Sequence, residues 1–397
     1  MRIVQKYGGS SVATIEQIQN IAKYIKELKE EGHEIVIVAS AMGKTTDELI
    51  KSAKLISENP NKREMDALLS TGEIKTITLL SMALNKIGVD AVSLNGLQAG
   101  FKTTNEHSKA FIIECNVSRI EKELANGKVV VVAGFQGVSQ DGNITTFGRG
   151  GSDTTAVALA SKLDCICEIY TDVESVFTVD PRLYKDAKKI QTISYEEMME
   201  SAVCGAKVLD ARCVELAKKY KVDLYLGKTL EKDKNKGTLV MEKSKYFEEM
   251  PITNLAVRDV CVVSVSGDIY QKESVLKLFE ILVDSKINYE MVGLKEVSNK
   301  FVASFSVAMQ ECEKIIDDIK TKLGNLVMVE LYNGVKLTLV GLGLATHTRI
   351  AQNVFKLLLE NEIGFKDISI SEISISFVVE NDDKQKAIEL LVKNFDL

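Results

Sequence analysis

Four apolar runs limit the folds open to this sequence. "EIVIVASA" (34–41) and "VVVVAGFQG" (129–137) have no polar face, and "RIVQKYGG" (2–9) and "CICEIYTDV" (165–173) read as further strands. Between them lie helical patterns: "IEQIQNIAKYIKELKEEG" (15–32), "DALLSTGEIKTITLLSMALNKIG" (66–88) and the stretch 154–163. Uniformly apolar strands separated by helices predict an α/β domain whose largely parallel central sheet is covered by helices. In such sheets ligands gather at the carboxyl ends of the strands. "KYGGSS", "SAMGKTTD", "GFQG" and "TDVESVFTVDPR" all follow expected strands and are rich in Gly, Ser, Thr, Asp or Lys. Four polar loops on one edge point to a single site.

The chemistry is concentrated in "TTFGRGGSDTTAVALA" (145–160). Gly150, Gly151 and Ser152 fall where a helix begins, and a helix N-terminus offers unpaired N–H groups to an anion. A Ser- or Asp-capped helix after a tight turn meets the same pattern. Gly8-Gly9-Ser10-Ser11 also precedes a helix, with Lys6 just before it, and Lys207 lies in "CGAKVLDAR". Two anion cradles and two lysines suit phosphoryl transfer, which needs mainly positioning and neutralised charge. The G-x-x-x-x-G-K-[ST] loop is absent, as are the H-R-D and D-F-G sets of protein kinases. "VKLTLVGLGLATHTRIAQNVF" approaches a dinucleotide fingerprint, but Thr346 replaces its third glycine and too little chain follows.

Composition removes other classes. A net charge of −6 argues against a general nucleic-acid binder. No apolar run reaches membrane-spanning length, and the N-terminus lacks a signal peptide's apolar core. Seven cysteines in no framework spacing predict reduced, structural thiols and a cytoplasmic protein. Three histidines exclude a His-rich metal site, and no metal-ligand set is assigned.

The chain resembles the aspartokinases, enzymes of the amino-acid-kinase fold. "KYGGSSVA", "SAMGKTTDEL", "STGE", "QAG", "VVAGFQG…GNITTFGRGGSDTTAVALA", "IYTDVESVFTVDPR" and "GAKVLDARCVELA" stand in family order and spacing. The resemblance implies phosphorylation of the side-chain carboxylate of L-aspartate by ATP with Mg2+, the first step towards lysine, threonine and methionine. It implies catalytic roles for Lys6, Asp153 and Lys207, with Asp153 orienting the lysine. Ser40, Thr46, Glu73, Arg149, Gly150, Gly151 and Ser152 match substrate positions, Glu73 facing the substrate ammonium and Arg149 a carboxylate. ATP positions are Lys6, Tyr7, Gly8, Gly9, Ser10, Thr171, Asp172, Phe177, Thr178, Asp180, Arg182 and Lys207. Ser175 and Phe177 depart from the common Gly and Tyr there. An aspartate carboxylate, with a pKa of about 3.9, is already ionised at neutral pH and needs no general base.

Residues 1–243 are expected to form the kinase domain and 244–397 a regulatory domain. In the latter, "VCVVSVSG", "KESVLKLFEILVDSKI", "KFVASFSV", "CEKIIDDIKTKL" and "LVMVELY" form a βαββαβ unit. "VKLTLVGLG", "RIAQNVFKLLLENEI", "FKDISIS", "EISISFVVE" and "KQKAIELLVKNF" repeat it. The second copy lacks a strand and "PITNLAVRD" is one too many, so unit 262–332 is read as inserted between 251–261 and 333–397. Tandem ACT domains have this arrangement. They imply an amino-acid effector near Asn288 and Glu290, although Tyr270, Leu294 and Gly364 depart from the usual effector-site pattern. A homodimer or dimer of dimers is expected through exposed strand edges. The alternatives are a glutamate-type amino-acid kinase and a catalytically dead amino-acid sensor.

Overall fold

A computed structural model describes the chain except residues 207, 243–251, 269–271, 286, 346 and 348. Lys207, Tyr270, Thr346 and the expected boundary at 243/244 therefore lie outside the described residues. Two compact units emerge: Met1–Phe177, Lys189–Val203 and Lys207–Phe247 in one, and Thr178–Lys188, Cys204–Ala206 and Glu248–Leu397 in the other.

The first unit begins with β1 (Arg2–Tyr7), α1 (Ile15–Glu30), β2 (Glu34–Ala39), α2 (Thr45–Ile56) and α3 (Lys62–Lys86). Next come β3 (Ala91–Leu94), β4 (Phe101–Thr103), β5 (Ile112–Cys115), α4 (Ser118–Ala125) and β6 (Val129–Ala133). They are followed by β7 (Gln136–Ser139), β8 (Ile144–Thr146), α5 (Gly151–Leu163) and β9 (Ile166–Thr171). The last are β10 (Thr192–Ser194), α6 (Tyr195–Cys204), α7 (Ala211–Tyr220), β11 (Leu224–Lys228) and β12 (Thr238–Met241).

An eight-stranded sheet runs β10-β12-β11-β9-β1-β2-β6-β3. Every neighbouring pair in it is parallel except β11–β12. The uniformly apolar runs follow from burial on both faces. Val4, Val36, Val38, Val130 and Val132 join Val157 and Ala160 of α5 in one core. Their neighbours Ile35, Ile37, Val129 and Val131 face Ile21 and Ile25 of α1 and Leu80 of α3. Burying each such side chain stabilises by about 1.5–3 kcal/mol. Thr14 starts α1 with a capping box to Gln17.

"VVVVAGFQG" is not one strand. It breaks after Ala133, where Phe135 takes a φ of 72°, and β7 enters a separate sheet of order β5-β4-β7-β8. The chain leaves β1 for β2 on one side and returns to β9 on the other, so the central crevice opens beside β1.

The second unit contains β13 (Asn254–Asp268), α8 (Lys272–Ser285), β14 (Tyr289–Val297), β15 (Lys300–Ala308) and α9 (Cys312–Leu323). It continues with β16 (Val327–Val340), α10 (Arg349–Glu360), β17 (Phe365–Ile370), β18 (Ser374–Val379) and α11 (Lys384–Phe395). These strands form an antiparallel sheet, β14-β15-β13-β16-β18-β17. Strands read separately in the sequence are here continuous. β13 pairs with β16 from Asn254 opposite Val340 to Gly267 opposite Val327. Its first half pairs with the part of β16 that joins β18, and its second half pairs with β15. The first βαββαβ unit is thus inserted into the second, each with its own core. Val179 is buried in the core of the second βαββαβ unit, with Leu183 and Tyr184 packed against it.

One cysteine expectation is corrected. Cys261 and Cys312 form a disulfide with Cα atoms 6.1 Å apart, because Cys261 of β13 faces the first residue of α9. The other five, Cys115, Cys165, Cys167, Cys204 and Cys213, are not disulfide-bonded.

Candidate active site

The loops after β1, β2 and β6 are stitched to the neighbouring strand ends. Gly8 N–H donates to Tyr170 C=O (3.1 Å), Ser40 N–H to Tyr7 C=O (3.1 Å) and Gly134 N–H to Ala39 C=O (3.1 Å). Gly43 N–H reaches Gly9 C=O at 3.0 Å, and a Cβ on Gly9 would stand 2.8 Å from Ala41 C=O. The β1 loop therefore lies against the β2 loop, with room only for glycine.

Lys6, next to last in β1, is almost fully buried, and its Nζ lies 2.6 Å from Asp153 Oδ1 in the first turn of α5. The same Nζ is 3.6 Å from where a Cβ on Gly8 would sit. Lysine, glycine loop and helix start thus meet at one point.

Glu73, on α3, is 4% exposed. Its Oε1 accepts from Ala41 N–H at 3.1 Å, whereas its buried Oε2 has no hydrogen-bond partner among the described residues. Burial raises its pKa to about 7. Ser40 and Thr46 are half-buried beside that loop.

Arg149 is exposed between Gly148 and Gly150, whose φ values are 79° and 66°. The helix after them has no side-chain cap; Gly150 occupies the cap position. The capped-helix alternative is thereby set aside. A Cβ on Gly150 would approach Asp210 to 2.2 Å, and one on Gly134 would approach Ser152 to 2.8 Å.

The other sequence-assigned residues are less uniform. Ser10 is exposed after β1, and Tyr7 offers only backbone, since its ring is fully buried and stacks on Tyr170. Thr171 ends β9 and donates through Oγ1 to Asp172 (2.8 Å), and Phe177 bridges to Lys189. Thr178, Asp180 and Arg182 fall in the second compact unit, where Arg182 Nη2 holds Asp180 Oδ2 at 2.6 Å. In that unit Asn288 is exposed. Glu290 is engaged by Arg258 Nη1 at 2.9 Å and by the buried Lys336. Its carboxylate is therefore committed to two cations within the chain.

Asp210 was not assigned from sequence. It caps α7 by accepting from Arg212 N–H (3.0 Å), and burial, with the charge of Asp153 adding, lifts its carboxyl above the usual range. Its sequence signal was the cap itself, an Asp directly before a helix. Two cavities of about 330 and 300 Å3 lie elsewhere, sharing Glu168 and Lys234. Their charged lining is already paired within the chain, by Lys232 with Glu27 and Lys234 with Glu168.

Residues 1–228 match the model of the amino acid kinase family, and 337–395 match that of the ACT domain. "Aspartokinase 2" of Bacillus subtilis (strain 168) is 42% identical over 400 residues, spanning 100% of this chain and 98% of that protein. The chain belongs to the aspartokinase family. It is accordingly an aspartate kinase, a phosphotransferase with a carboxyl group as acceptor. "Aspartokinase" of Geobacillus stearothermophilus is 44% identical over 400 residues, covering 100% of this chain and 97% of its own. The crystal structure of E. coli aspartokinase III in complex with aspartate and ADP (R-state) aligns with a TM-score of 0.77. It covers 99% of both chains at 22% identity, which bears on the fold alone.

Proposed function

We propose that the enzyme transfers the γ-phosphoryl group of ATP to the side-chain carboxylate of L-aspartate, giving 4-phospho-L-aspartate and ADP. The reading rests chiefly on the contact of Lys6 with Asp153 beneath the Gly8–Gly9 loop, where an ammonium meets a glycine-lined cradle. That arrangement suits nucleotide phosphates. Lys6 stabilises charge on the transferring group, and Asp153 fixes the direction of its ammonium. Glu73 Oε2, buried and without a hydrogen-bond partner among the described residues, suits the substrate ammonium, while Arg149 suits a carboxylate. The acceptor carboxylate is already ionised, so no base is required. Among the described residues no cluster of three or more His, Cys, Asp or Glu side chains forms a metal site. Magnesium is read as entering with the ATP phosphates, whose charge it supplements.

The same reading places the enzyme in the cytoplasm, at the opening of a route to lysine, threonine and methionine. It assigns amino-acid control to the ACT units and a homodimer or dimer of dimers to residues 252–397. Exposed Leu294 on edge strand β14 and Ile370 on edge strand β17 support an assembly there. A coupled ADP-release assay tests the activity. Turnover with aspartate and not glutamate is expected. Equal turnover with glutamate, or none with either, would reject the proposal.

A further inference from the structure

Two charged side chains from different helices grip the loop that carries Arg149. Asp66 of α3 is fully buried. Its Oδ1 accepts from Thr146 Oγ1 at 2.7 Å, and both oxygens accept from Ser108 N–H at 3.1 and 3.0 Å. His107 Nδ1 lies 2.8 Å from Oδ2. On the other side, Arg212 of α7 donates from Nη1 to Phe147 C=O and from Nη2 to Ala110 C=O, both at 2.9 Å. Its guanidinium is 5.0 Å from the Phe111 ring centre and 5.9 Å from that of Phe147. The gripped segments are themselves joined, Ala110 N–H to Thr146 C=O at 2.9 Å. Thr146 and Phe147 lead directly into Gly148, whose missing Cβ would stand 3.0 Å from Ser108 C=O.

Glycines on both sides of Arg149 leave its backbone free to take other conformations. An exposed arginine on such a segment needs its anchor fixed before its fork can meet a carboxylate in one geometry. Charge-assisted hydrogen bonds from rigid helices supply that anchor. Lysine at 212 would keep the charge but lose the planar fork that spans two carbonyls.

We propose that Asp66 and Arg212 are positioning residues for aspartate binding, acting through the placement of Arg149. This rests on the reading of Arg149 as an aspartate-binding group. Steady-state kinetics on Arg212→Lys, Thr146→Val, Arg149→Lys and the double variant Arg149→Lys/Arg212→Lys test it. Arg212→Lys is expected to raise the aspartate KM about tenfold, with the ATP KM within twofold of the parent. Thr146→Val, which removes one bond to Asp66 while keeping side-chain shape, is expected to raise it about threefold. The double variant should resemble Arg149→Lys alone, since residues acting through one another are not additive. An unchanged aspartate KM in Arg149→Lys would reject the underlying reading of that arginine. If Arg149→Lys is impaired while Arg212→Lys and Thr146→Val are normal, the positioning proposal fails alone. Multiplying effects in the double variant, or equal loss for aspartate and ATP tracking a fall in Tm, would also overturn it. Should Arg212→Lys not fold, Thr146→Val and its double variant with Arg149→Lys decide the question by the same comparisons.

Discussion

Lys6 Nζ and Asp153 Oδ1 meet at 2.6 Å, with only 11% and 12% of their side chains exposed. The pair joins the end of β1 to the first turn of α5, so the group proposed to face the phosphates is also a structural tie. Lys6→Ala removes the ammonium and leaves Asp153 buried without its partner. A buried pair broken from one side costs about 3–5 kcal/mol. Turnover is expected to fall at least about 100-fold, with a lowered Tm. Adding Asp153→Asn should restore much of the Tm and none of the turnover. Thermal melts and ADP-release rates on the three variants check this.

Arg149→Lys is expected to raise the aspartate KM about 10–100-fold, with little change for ATP. Losing one of two hydrogen bonds to a charge costs about 1.5–3 kcal/mol. Kinetics with each substrate varied in turn give the answer, and an unaltered aspartate KM would remove Arg149 from the site.

Glu73 supplies a pH dependence. Its folded pKa of about 7 lies well above the ordinary glutamate value of 4.5, so the folded state holds its proton where the unfolded state has lost it. Stability of the ligand-free enzyme should therefore decline as pH rises from about 4.5 to 7, by up to about 3 kcal/mol from this group. With Glu73 receiving the substrate ammonium as proposed, aspartate should bind less tightly below pH 7 and release a proton on binding. Glu73→Gln should flatten the stability profile and raise the aspartate KM. Denaturant titrations across pH, with calorimetry in buffers of different ionisation enthalpy, measure both effects.

Gly150→Ala should fail for two separate reasons. A φ of 66° disfavours any side chain, and the new methyl would meet Asp210 at 2.2 Å. Strain of this backbone kind is worth about 1–3 kcal/mol before the clash is counted. Asp210→Gly in the same chain should recover only the clash, and Tm values of the single and double variants separate the two.

A homodimer is expected at micromolar concentration, through residues 252–397. Lysine and threonine should inhibit weakly or unequally, because Leu294 and Gly364 offer no polar group and Glu290 is already paired with Arg258 and Lys336. Light scattering of a monomer would sink the assembly. Strong inhibition at low effector concentration would show that these residues do not limit the effector site.

Much of the fold could be read from neighbouring residues. Runs such as 34–41 and 129–133 alternate their side chains between two faces, and lacking a polar one they required cover on both. Gly9, Gly148 and Gly150 likewise marked close approaches and positive φ in loops after strands. The inserted βαββαβ unit was legible because one repeat lacked a strand and one strand was surplus. Sequence did not show that "NLAVRD" and "VCVVSVSG" are halves of one strand. Nothing local distinguishes a continuing strand from two in series; the partner β16 decides it by pairing with both.

The same division runs through the site. Sequence determined which residue types stand at the strand ends, because motif order and glycine placement are properties of the chain itself. Tertiary structure decided which of them touch. Asp66 and Thr146 are 80 positions apart, Arg212 and Ala110 are 102 apart, and Glu73 became a buried carboxyl group held through Oε1 by Ala41 N–H only when α3 packed beside the β2 loop. Such relations depend on how elements stack across the sheet, and desolvation and hydrogen bonding between distant residues come into being only once that stacking exists.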